Sequence, residues 1–345
     1  INFCLFSHSA YPDEFNISAI EVSVDKKNNI ITASGEVVVT DKTGKVINAD
    51  KVIYKKNDKL LITEGSVKIE DDQNNILLTD RAVYDKIEDK ITTYENSKLS
   101  IDKSYKLDSS KIFYNNKNKT ISSDTNSILT DKDNNTILVD MFEYQLNKNL
   151  FSSVGSIKVT DVNKNKYFFK ELYVDTKKQE MIGSDVSVLL DQKNFGLSEK
   201  NDPRFVANDI FISKNISTLS KGVFTVCQKR GEKCPPWTLK AKEISHDKIK
   251  KTIYYEHATL KVYDIPIFYF PKFFHPDPTV KRQSGFLAPF FTNSTNLGMG
   301  FALPYYWAIS DNKDLTFSPK IYTKENILLL NEYRQAFKNG FLTLD

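Results

Sequence analysis

Apolar residues in the first half of the chain recur every thirty positions, and this period constrains the fold more than any other feature. Four series share it: Val24, Tyr54, Tyr84, Tyr114, Tyr144 and Val174; Val22, Val52, Ala82, Ile112, Phe142 and Leu172; Ile31, Leu61, Ile91, Ile121, Phe151 and Met181; and Val39, Ile69, Leu99, Leu129, Val159 and Leu189. The chain as a whole is only 40% hydrophobic. Such a period predicts stacked units, each of which buries its apolar face only against its neighbours. The first half is therefore expected to be a long object with one continuous interior.

Within the repeats, apolar and polar residues alternate, as in residues 67–70, and this alternation is typical of a half-buried strand. Gly35, Gly65 and Gly155 recur at one repeat position, where a bend or a close backbone approach is expected. Helical periodicity is nearly absent. We therefore expect an all-β fold in which two opposed, twisted sheets form an elongated β-jellyroll or an open β-solenoid.

Composition argues against several classes of protein. The net charge is +4, so no strongly polarised field indicates nucleic acid as a partner. No stretch approaches the roughly 18 uninterrupted apolar residues of a membrane-spanning helix. Three cysteines do not make a disulfide-dense scaffold.

The first residues have the pattern of the end of a signal peptide. Ile1–Phe6 is apolar, and small residues follow at Ser7, Ser9 and Ala10. Such a pattern predicts export, with residues 1–16 as a residual signal peptide or N-terminal tail.

From residue 265 the chain becomes rich in aromatic residues and proline. After Gly285 come alternating segments separated by turn signals, at residues 286–292, 297–309, 315–322, 327–337 and 341–344. Alternating strands with aromatic residues are the weak signature of a transmembrane β-barrel, although a soluble antiparallel sheet has the same pattern. Because the smallest membrane barrels have about eight strands, we expect the N-terminal part of a longer protein.

Two prolines, Pro289 and Pro304, fall inside these strand-like segments. Proline lacks the N–H that a sheet ladder needs, so it belongs at an edge, a bulge or a weak seam. One interpretation is a simple bulge, and the other is a seam in a barrel that opens sideways.

No set of residues indicates catalysis, a metal or a cofactor. His275, Asp277 and Ser284 lie in one proline-rich turn region, and His246 and His257 lack a third ligand. Six residues separate Cys227 from Cys234, in a segment that contains Gly231 and Pro235. In an exported protein they predict a local disulfide worth about 2 kcal/mol, although segments beyond Asp345 could supply other partners.

Four stretches carry a resemblance to a known family: Cys234–Trp237, Ile265–Pro271, Lys281–Pro289 and Leu303–Trp307. Together they resemble the LPS-assembly outer-membrane protein family (LptD, also called OstA). The preceding repeats resemble the OstA-type β-jellyroll that this family shares with periplasmic bridge proteins. The resemblance implies a periplasmic jellyroll at residues 17–264, a connector at 265–285 and the first strands of an outer-membrane barrel at 286–345.

The same resemblance implies a role in lipopolysaccharide transport. The jellyroll would receive lipopolysaccharide from an LptA-like bridge protein, which docks by strand addition at the N-terminal edge. The barrel, plugged by an LptE-like lipoprotein, would release the lipid through a lateral gate at Pro289 and Pro304. Well-known members connect the jellyroll to the far end of the barrel through paired cysteines. Here Cys227 and Cys234 are close together, which argues against that linkage.

An interior that is not fully packed could shield acyl chains, whose exposure to water costs about 25 cal/mol per Å². The groove candidates are Val22, Ile31, Val52, Leu61, Ile69, Ile91, Ile112, Phe142 and Phe151. The alternative is that these residues only fill a core. Two other functions compete with the transporter: a purely periplasmic bridge component, and a β-stack enzyme acting on polysaccharide.

Overall fold

The computed structural model describes residues 15–41, 44–71, 75–101, 104–191, 201–228, 235–276, 280, 282–287 and 289–345. These residues form strands and turns, and no helix occurs among them. The chain divides into two compact units. Unit 1 comprises the described residues up to Ile249 together with Tyr254–Phe273, and unit 2 comprises Lys250–Ile253 and Phe274–Asp345.

One continuous sheet contains the first 24 strands of the described residues. Its first twelve strands are β1 Phe15–Ser18, β2 Glu21–Asp25, β3 Ile30–Asp41, β4 Val46–Lys55, β5 Leu60–Glu70, β6 Ile76–Asp85, β7 Lys90–Tyr94, β8 Ser97–Ile101, β9 Tyr105–Ser109, β10 Phe113–Asn115, β11 Thr120–Ser123 and β12 Ser127–Thr130. The next twelve are β13 Thr136–Val139, β14 Phe142–Gln145, β15 Leu150–Thr160, β16 Lys166–Asp175, β17 Glu180–Leu189, β18 Arg204–Ile212, β19 Ile216–Ser220, β20 Val223–Thr225, β21 Trp237–Lys240, β22 Glu243–Asp247, β23 Thr252–Val262 and β24 Ile265–Pro276.

Each repeat is a pair of antiparallel strands that bend at a corner, so the sheet folds into two facing walls. Wall 1 contains the strand segments that carry Tyr54, Tyr84, Tyr114 and Tyr144, and wall 2 contains those that carry Val39, Ile69, Leu99, Leu129 and Val159. The ring of Phe15, on a wall 2 strand, packs edge-on against Tyr54 of wall 1 at a centroid distance of 5.2 Å. The walls therefore enclose a common interior, and the opposed sheets expected from the sequence are confirmed.

The corner is built from bulges. The register of the β3–β4 pair shifts between Ser34 and Val37, and that of β5–β6 shifts between Glu64 and Val67. An extra residue on one strand bends that strand. Gly35 and Gly65 have φ angles of 77° and 76° there, and Gly155 has 119° at the same repeat position. The bend predicted from the recurring glycines is confirmed.

On wall 1, two of the thirty-residue series lie directly opposite each other across the strands. The rungs pair Val24 with Ile31, Ile31 with Tyr54, Tyr54 with Leu61, Leu61 with Tyr84, Tyr84 with Ile91, Ile91 with Tyr114, Tyr114 with Ile121, Ile121 with Tyr144, Tyr144 with Phe151, Phe151 with Val174, and Val174 with Met181. Cross-strand neighbours are the unit of sheet stabilisation. The sequence period thus becomes one apolar stripe that runs along the wall.

Wall 2 has a matching stripe. Its rungs pair Val39 with Ile47, Ile47 with Ile69, Ile69 with Leu77, Leu77 with Leu99, Leu99 with Leu107, Leu107 with Leu129, Leu129 with Ile137, Ile137 with Val159, and Val159 with Tyr167.

In the last repeat, the inward residue of wall 2 lies one position before the residue that the thirty-residue period predicts. Val188, 3% exposed, lies opposite Tyr167 inside the fold, whereas Leu189 is 40% exposed, so the inward placement of Leu189 is wrong. The reason is the missing bulge: β16 and β17 pair without a register shift. With one residue fewer at the corner, the alternation of side chains moves by one position.

The N-terminal edge of the sheet is uncovered among the described residues. Strands β1 and β2 each pair with β3, on wall 2 and wall 1 respectively. Ile20, Val22 and Val24 are 74%, 53% and 56% exposed, although apolar side chains at these positions continue the inner stripe. Val22 is therefore an exposed edge position, because β2 pairs only with β3 among the described residues, and its role in a lipid groove stays a prediction.

Unit 2 contains a second sheet. Its strands are β25 Gly285–Phe286, β26 Phe290–Ser294, β27 Gly298–Ala302, β28 Tyr305–Ser310, β29 Lys313–Tyr322, β30 Leu328–Phe337 and β31 Gly340–Leu344. β29 pairs with β27, β28 and β30, and the ladder continues through β26, β25 and β31. The single strand expected at 297–309 is divided at Pro304, which cannot donate to a ladder. Pro289 lies between β25 and β26.

Most large apolar side chains of the second sheet are exposed. Phe286, Phe291 and Phe341 are 71%, 73% and 71% exposed, while Ala302 is the buried apolar side chain among the described residues of the sheet. Such a surface exceeds what an isolated soluble sheet usually leaves in water.

The corner geometry predicts a difference between two glycine substitutions. Gly65→Ala should lower the free energy of unfolding more than Gly44→Ala, because both have positive φ but only an added Cβ at Gly65 would overlap the Asp50 carboxylate. We expect about 1 kcal/mol for Gly44→Ala and at least about 2 kcal/mol for Gly65→Ala. Urea unfolding of the full chain measures both, and equal losses would contradict the packing assigned to the corner.

Candidate functional site

A cavity of about 1250 Å³ lies between the two walls of unit 1. Wall 1 contributes apolar stripe residues and their neighbours, namely Tyr114, Ile121, Phe142, Tyr144, Phe151, Val174, Met181 and Ile212. Wall 2 contributes Ile101, Leu107, Leu129, Ile137, Val159 and Tyr167. The apolar stripes of the two walls therefore face each other here without filling the space between them.

The interior is filled at the N-terminal end and open further along. Phe15 packs against Tyr54 and Tyr84, at ring centroid distances of 5.2 and 5.9 Å, and all three are less than 10% exposed. Further along, the row of tyrosines ends and Val174 takes the next position. Tyr114, Tyr144 and Val174 all border the cavity, which therefore begins within the row of tyrosines and continues past its end.

Lys45 closes the N-terminal end of the cavity. Its ammonium lies 4.9 Å from the ring centroid of Tyr84 and 5.8 Å from that of Tyr114, and the residue is buried. A cation over aromatic faces is stabilised by their quadrupoles. The filled and open parts of the interior thus meet at a charged side chain.

The cavity has a polar mouth formed by the turns of both walls. Lip 1 consists of the wall 1 turns at residues 26–29, 56–59, 86–89, 116–119, 146–149, 176–179, 213–215 and 248–249. Lip 2 consists of the wall 2 turns at residues 41–45, 71–75, 101–104, 131–135, 161–165 and 190–191, in so far as the structure describes them.

Tyrosine side chains of both walls extend to the lips. Tyr144 lies with its hydroxyl 3.1 Å from the Thr176 hydroxyl, and Tyr114 donates to Asn116 at 3.3 Å. On wall 2, Tyr167 donates to the Asp161 carboxylate at 3.1 Å. Burial, and then the negative charge of Asp161, raise the pKa of Tyr167, so this phenol stays neutral at physiological pH. Each ring therefore presents an apolar face to the cavity and a hydroxyl to the mouth.

On lip 2, acidic and amide side chains hold successive turns together. Asp131 accepts hydrogen bonds from the backbone and side chain of Asn135, and the Asn135 oxygen accepts one from the backbone N–H of Val162. The next turn repeats this arrangement with Asp161 and Asn165. These carboxylates thus stabilise their own turns by hydrogen bonds.

Lip 1 is lined by lysines. Lys119, Lys177 and Lys248 border the cavity. The Lys119 ammonium donates to Asn116 at 2.5 Å, and that of Lys248 donates to the Ser213 carbonyl at 2.8 Å. Loss of water around the enclosed part of the side chain lowers the pKa of Lys248 from its ordinary value.

The nine groove candidates from the sequence separate into three groups. Phe142 and Phe151 line the cavity and stack on each other at 5.6 Å. Five others are buried inside the walls and do not border the cavity: Val52, Leu61, Ile69, Ile91 and Ile112. Ile31 is half-buried, and Val22 lies on the exposed edge. Contact of any of them with lipid stays a prediction.

Several cavity residues were missed by the sequence reasoning. Leu107, Ile137 and Tyr167 belong to a fifth series with the same period, together with Ile47 and Leu77. This series could have been found, since it lies opposite the series of Val39 in every repeat. What the sequence does not reveal is which repeats are filled by Phe15.

The other sequence candidates are placed as follows. Cys227 is half-buried, and its proposed partner Cys234 lies outside the described residues, so their disulfide stays a prediction. Ser284 accepts a hydrogen bond from the backbone N–H of Ala308, and Asp277 lies outside the described residues. His257 pairs with the Tyr269 hydroxyl at 2.5 Å. Within the described ranges, no group of three or more His, Cys, Asp or Glu residues is arranged to hold a metal ion.

The described residues of unit 2 include a polar cluster centred on the buried Asp314. Arg282 and Arg334 both form ion pairs with this carboxylate, and the Tyr306 hydroxyl donates to it at 3.2 Å. Arg282 precedes β25, so the cluster fastens the segment that enters the sheet to β28, β29 and β30. A buried charge is tolerated when it is paired in this way.

Comparison with known proteins identifies two family models. The model described as OstA-like protein matches residues 18–140, and the model described as LptD protein matches residues 253–338. None of the residues that the structure describes forms a helix with the length and hydropathy that a membrane crossing needs.

Several relatives carry the name LPS-assembly protein LptD. The one from Shewanella oneidensis is 37% identical over 119 residues, which are 32% of this chain and 15% of the relative. The one from Polaromonas sp. is 29% identical over 202 residues, which are 58% of this chain and 23% of the relative. The chain thus spans less than a quarter of the length of these relatives.

Among solved structures, one match is LptH from Pseudomonas aeruginosa, described as the LptA homologous periplasmic component of a lipopolysaccharide transport device. It has 18% identity and a TM-score of 0.27, and the match covers 29% of this chain and 75% of that chain. A TM-score this low supports no inference.

The fold and the cavity define a β-jellyroll protein with a partly open apolar interior. The two family models and the named relatives assign it further: the chain belongs to the LptD/OstA family.

The cavity geometry predicts the effect of adding volume. Val174→Phe should weaken binding of a hydrophobic fluorescent probe about tenfold, because the ring displaces about two methylene groups of ligand at about 0.8 kcal/mol each. Val154→Phe is the matched control, since Val154 is 52% exposed on the outer face of β15. Probe titration measures both, and an equal loss in the control would show that the probe binds elsewhere.

Proposed function

We propose that this protein transports and assembles lipopolysaccharide at the outer membrane. Its jellyroll receives the lipid between wall 1 and wall 2 and passes it to a laterally gated barrel, which releases it into the outer leaflet. The observation that carries the proposal is the open apolar cavity within a chain of the LptD/OstA family.

The cavity suits acyl chains for a simple energetic reason. Transfer of each methylene group from water to an apolar site contributes about 0.8 kcal/mol. The walls supply aliphatic and aromatic side chains, while tyrosine hydroxyls and lysines lie at the mouth. An amphiphile could therefore keep its chains inside and its polar group between the lips.

We propose that the protein works without catalysis, since moving a lipid along a groove breaks no covalent bond. The relatives are named for assembly, which favours a transporter over an enzyme acting on polysaccharide. The match of the LptD model to residues 253–338 favours an outer-membrane protein over a purely periplasmic bridge component.

The proposed division of the chain follows from this function. Residues 17–264 form the periplasmic jellyroll, 265–285 the connector and 286–345 the first strands of the outer-membrane barrel. Support comes from the exposed aromatic residues of the second sheet and from its breaks at Pro289 and Pro304, the proposed lateral gate. An LptE-like lipoprotein plug is the expected partner of the complete barrel.

The exposed edge at β2 supports docking of a periplasmic bridge protein of the LptA type. An edge strand offers unpaired backbone groups, and a partner's strand could extend wall 1 there. The exposed Val22 and Val24 would then meet apolar residues of the partner. In this arrangement the apolar stripes of the two proteins become continuous.

Site-specific photocrosslinking in cells tests the proposed conduit. A photoreactive amino acid at Phe142 or Phe151 should form an adduct with lipopolysaccharide, because both side chains border the cavity. The control position is Val154, on the same strand as Phe151 but exposed on the outer face. Absence of an adduct at both cavity positions, in protein that reaches the outer membrane, would reject the conduit.

A pair of charge substitutions tests the docking edge. Val22→Asp with Val24→Asp should abolish binding to the bridge protein, because carboxylates on this face would be buried against the added strand. The chain should still fold, since both side chains are exposed. Ser23→Asp, on the opposite face of β2, is the control and should bind normally in a pull-down. Normal binding by the double variant would place the docking site elsewhere.

A further inference from the structure

The two lips of the cavity differ in the chemistry of their charged side chains. Each of the first six turns of lip 1 carries a lysine close to the same repeat position: Lys26, Lys56, Lys86, Lys117, Lys148 and Lys177. Lip 2 instead repeats an aspartate at the start of its turns, as at Asp71, Asp131 and Asp161. The asymmetry therefore runs along the jellyroll and is not a local cluster.

At the cavity itself the difference persists. Lip 1 borders it with Lys119, Lys177 and Lys248, with Glu180 as the accompanying acid. The other four carboxylates at the cavity, those of Asp71, Asp131, Asp133 and Asp161, all belong to lip 2. They outnumber the three lysines on that side, which are Lys45 and Lys132 of lip 2 and Lys106 of the adjoining strand β9. An anion at the mouth would consequently be attracted toward lip 1.

The availability of these groups also differs. The carboxylates of Asp131 and Asp161 accept several hydrogen bonds within their own turns. An ammonium group has three donors, and the described bonds of Lys119 and Lys248 use one donor of each. Lip 1 therefore retains donors that can point at a ligand in the mouth.

We propose that lip 1 binds the phosphate-bearing headgroup of the amphiphile whose chains occupy the cavity. The apolar walls and the lysines are independent observations, and an anionic lipid satisfies both at once. This inference rests on the proposed function, because it assigns the headgroup chemistry of the same ligand. The phosphate lies against Lys119, Lys177 and Lys248, and lip 2 remains a structural rim.

The repeat places the lysines of lip 1 at regular intervals along the jellyroll. Each repeat advances by two strands, or about 10 Å, at the usual spacing of about 4.8 Å between neighbouring strands. With a lysine in each lip 1 turn, a phosphate that leaves one turn meets the next within one repeat. The headgroup can therefore follow lip 1 while the chains remain between the walls.

Two lipids that have the same single acyl chain distinguish the contribution of the phosphate from that of the cavity. The purified full chain is titrated with oleoyl lysophosphatidic acid and with monoolein, which share the acyl chain and differ in the phosphate. The native chain should bind the phosphorylated lipid about tenfold more tightly, as three exposed ion pairs of about 0.5 kcal/mol would give. Added salt should reduce this preference.

The variant that replaces Lys119, Lys177 and Lys248 with glutamine should lose the preference and keep its affinity for monoolein. The control replaces three lysines that do not border the cavity, Lys68, Lys158 and Lys170, with glutamine and has the same net charge. This control should keep the preference. Equal binding of both lipids by the native chain, or an equal loss in the control, would overturn the lysine site.

Two further outcomes separate the possible sources of failure. If monoolein does not bind the native chain, the cavity is not a lipid site and the proposed function fails with the inference. If monoolein binds and the phosphate makes no difference, only the lysine site fails. Inorganic phosphate at the same concentration should not displace the lipid. Displacement would show that the lysines bind any anion and do not form a headgroup site.

Discussion

The pairing of Tyr54 with Leu61, repeated along wall 1, is the interaction on which the rest of the structure depends. These residues are opposite because the strand continues one residue past the tyrosine, a four-residue turn follows, and the next strand reaches the leucine at its second residue. A turn longer or shorter by one residue would move the apolar side chains to the outer face. The turn length thus places the apolar stripe inside, and stacking of the repeats makes it continuous.

The corner controls the second wall in the same way. Inward residues on either side of it are four positions apart in β5, at Thr63 and Val67, but three apart in β17, at Gly183 and Val186. The extra residue is the bulge, and its loss explains why Val188 replaces Leu189 in the interior. The alternation of inward and outward side chains within each wall was therefore predictable. Which residues point inward beyond the corner depends on whether a bulge is present, and the thirty-residue period does not show this.

The proposed function depends on the part of the interior that is left unfilled. Close packing around Phe15 gives a solid core in the first repeats, and the change from tyrosine to Val174 accompanies an open one further along. The same β-stack can thus be stable at one end and accommodate a ligand at the other. The lips add the polar half of the site, with structural carboxylates on one side and available ammonium groups on the other.

The sequence alone determined the all-β class, the repeat, the glycine corners and the apolar stripes, because alternation and period are local properties that the backbone converts directly into faces. It also indicated the family, through short motifs near residues 234–237 and 281–307. The tertiary structure decided which stripe residues surround a cavity: Phe142 and Phe151 do, whereas Val52 and Leu61 are enclosed by neighbours. That distinction depends on whether a residue distant in sequence, here Phe15, fills the space between the walls, and no periodic pattern records it.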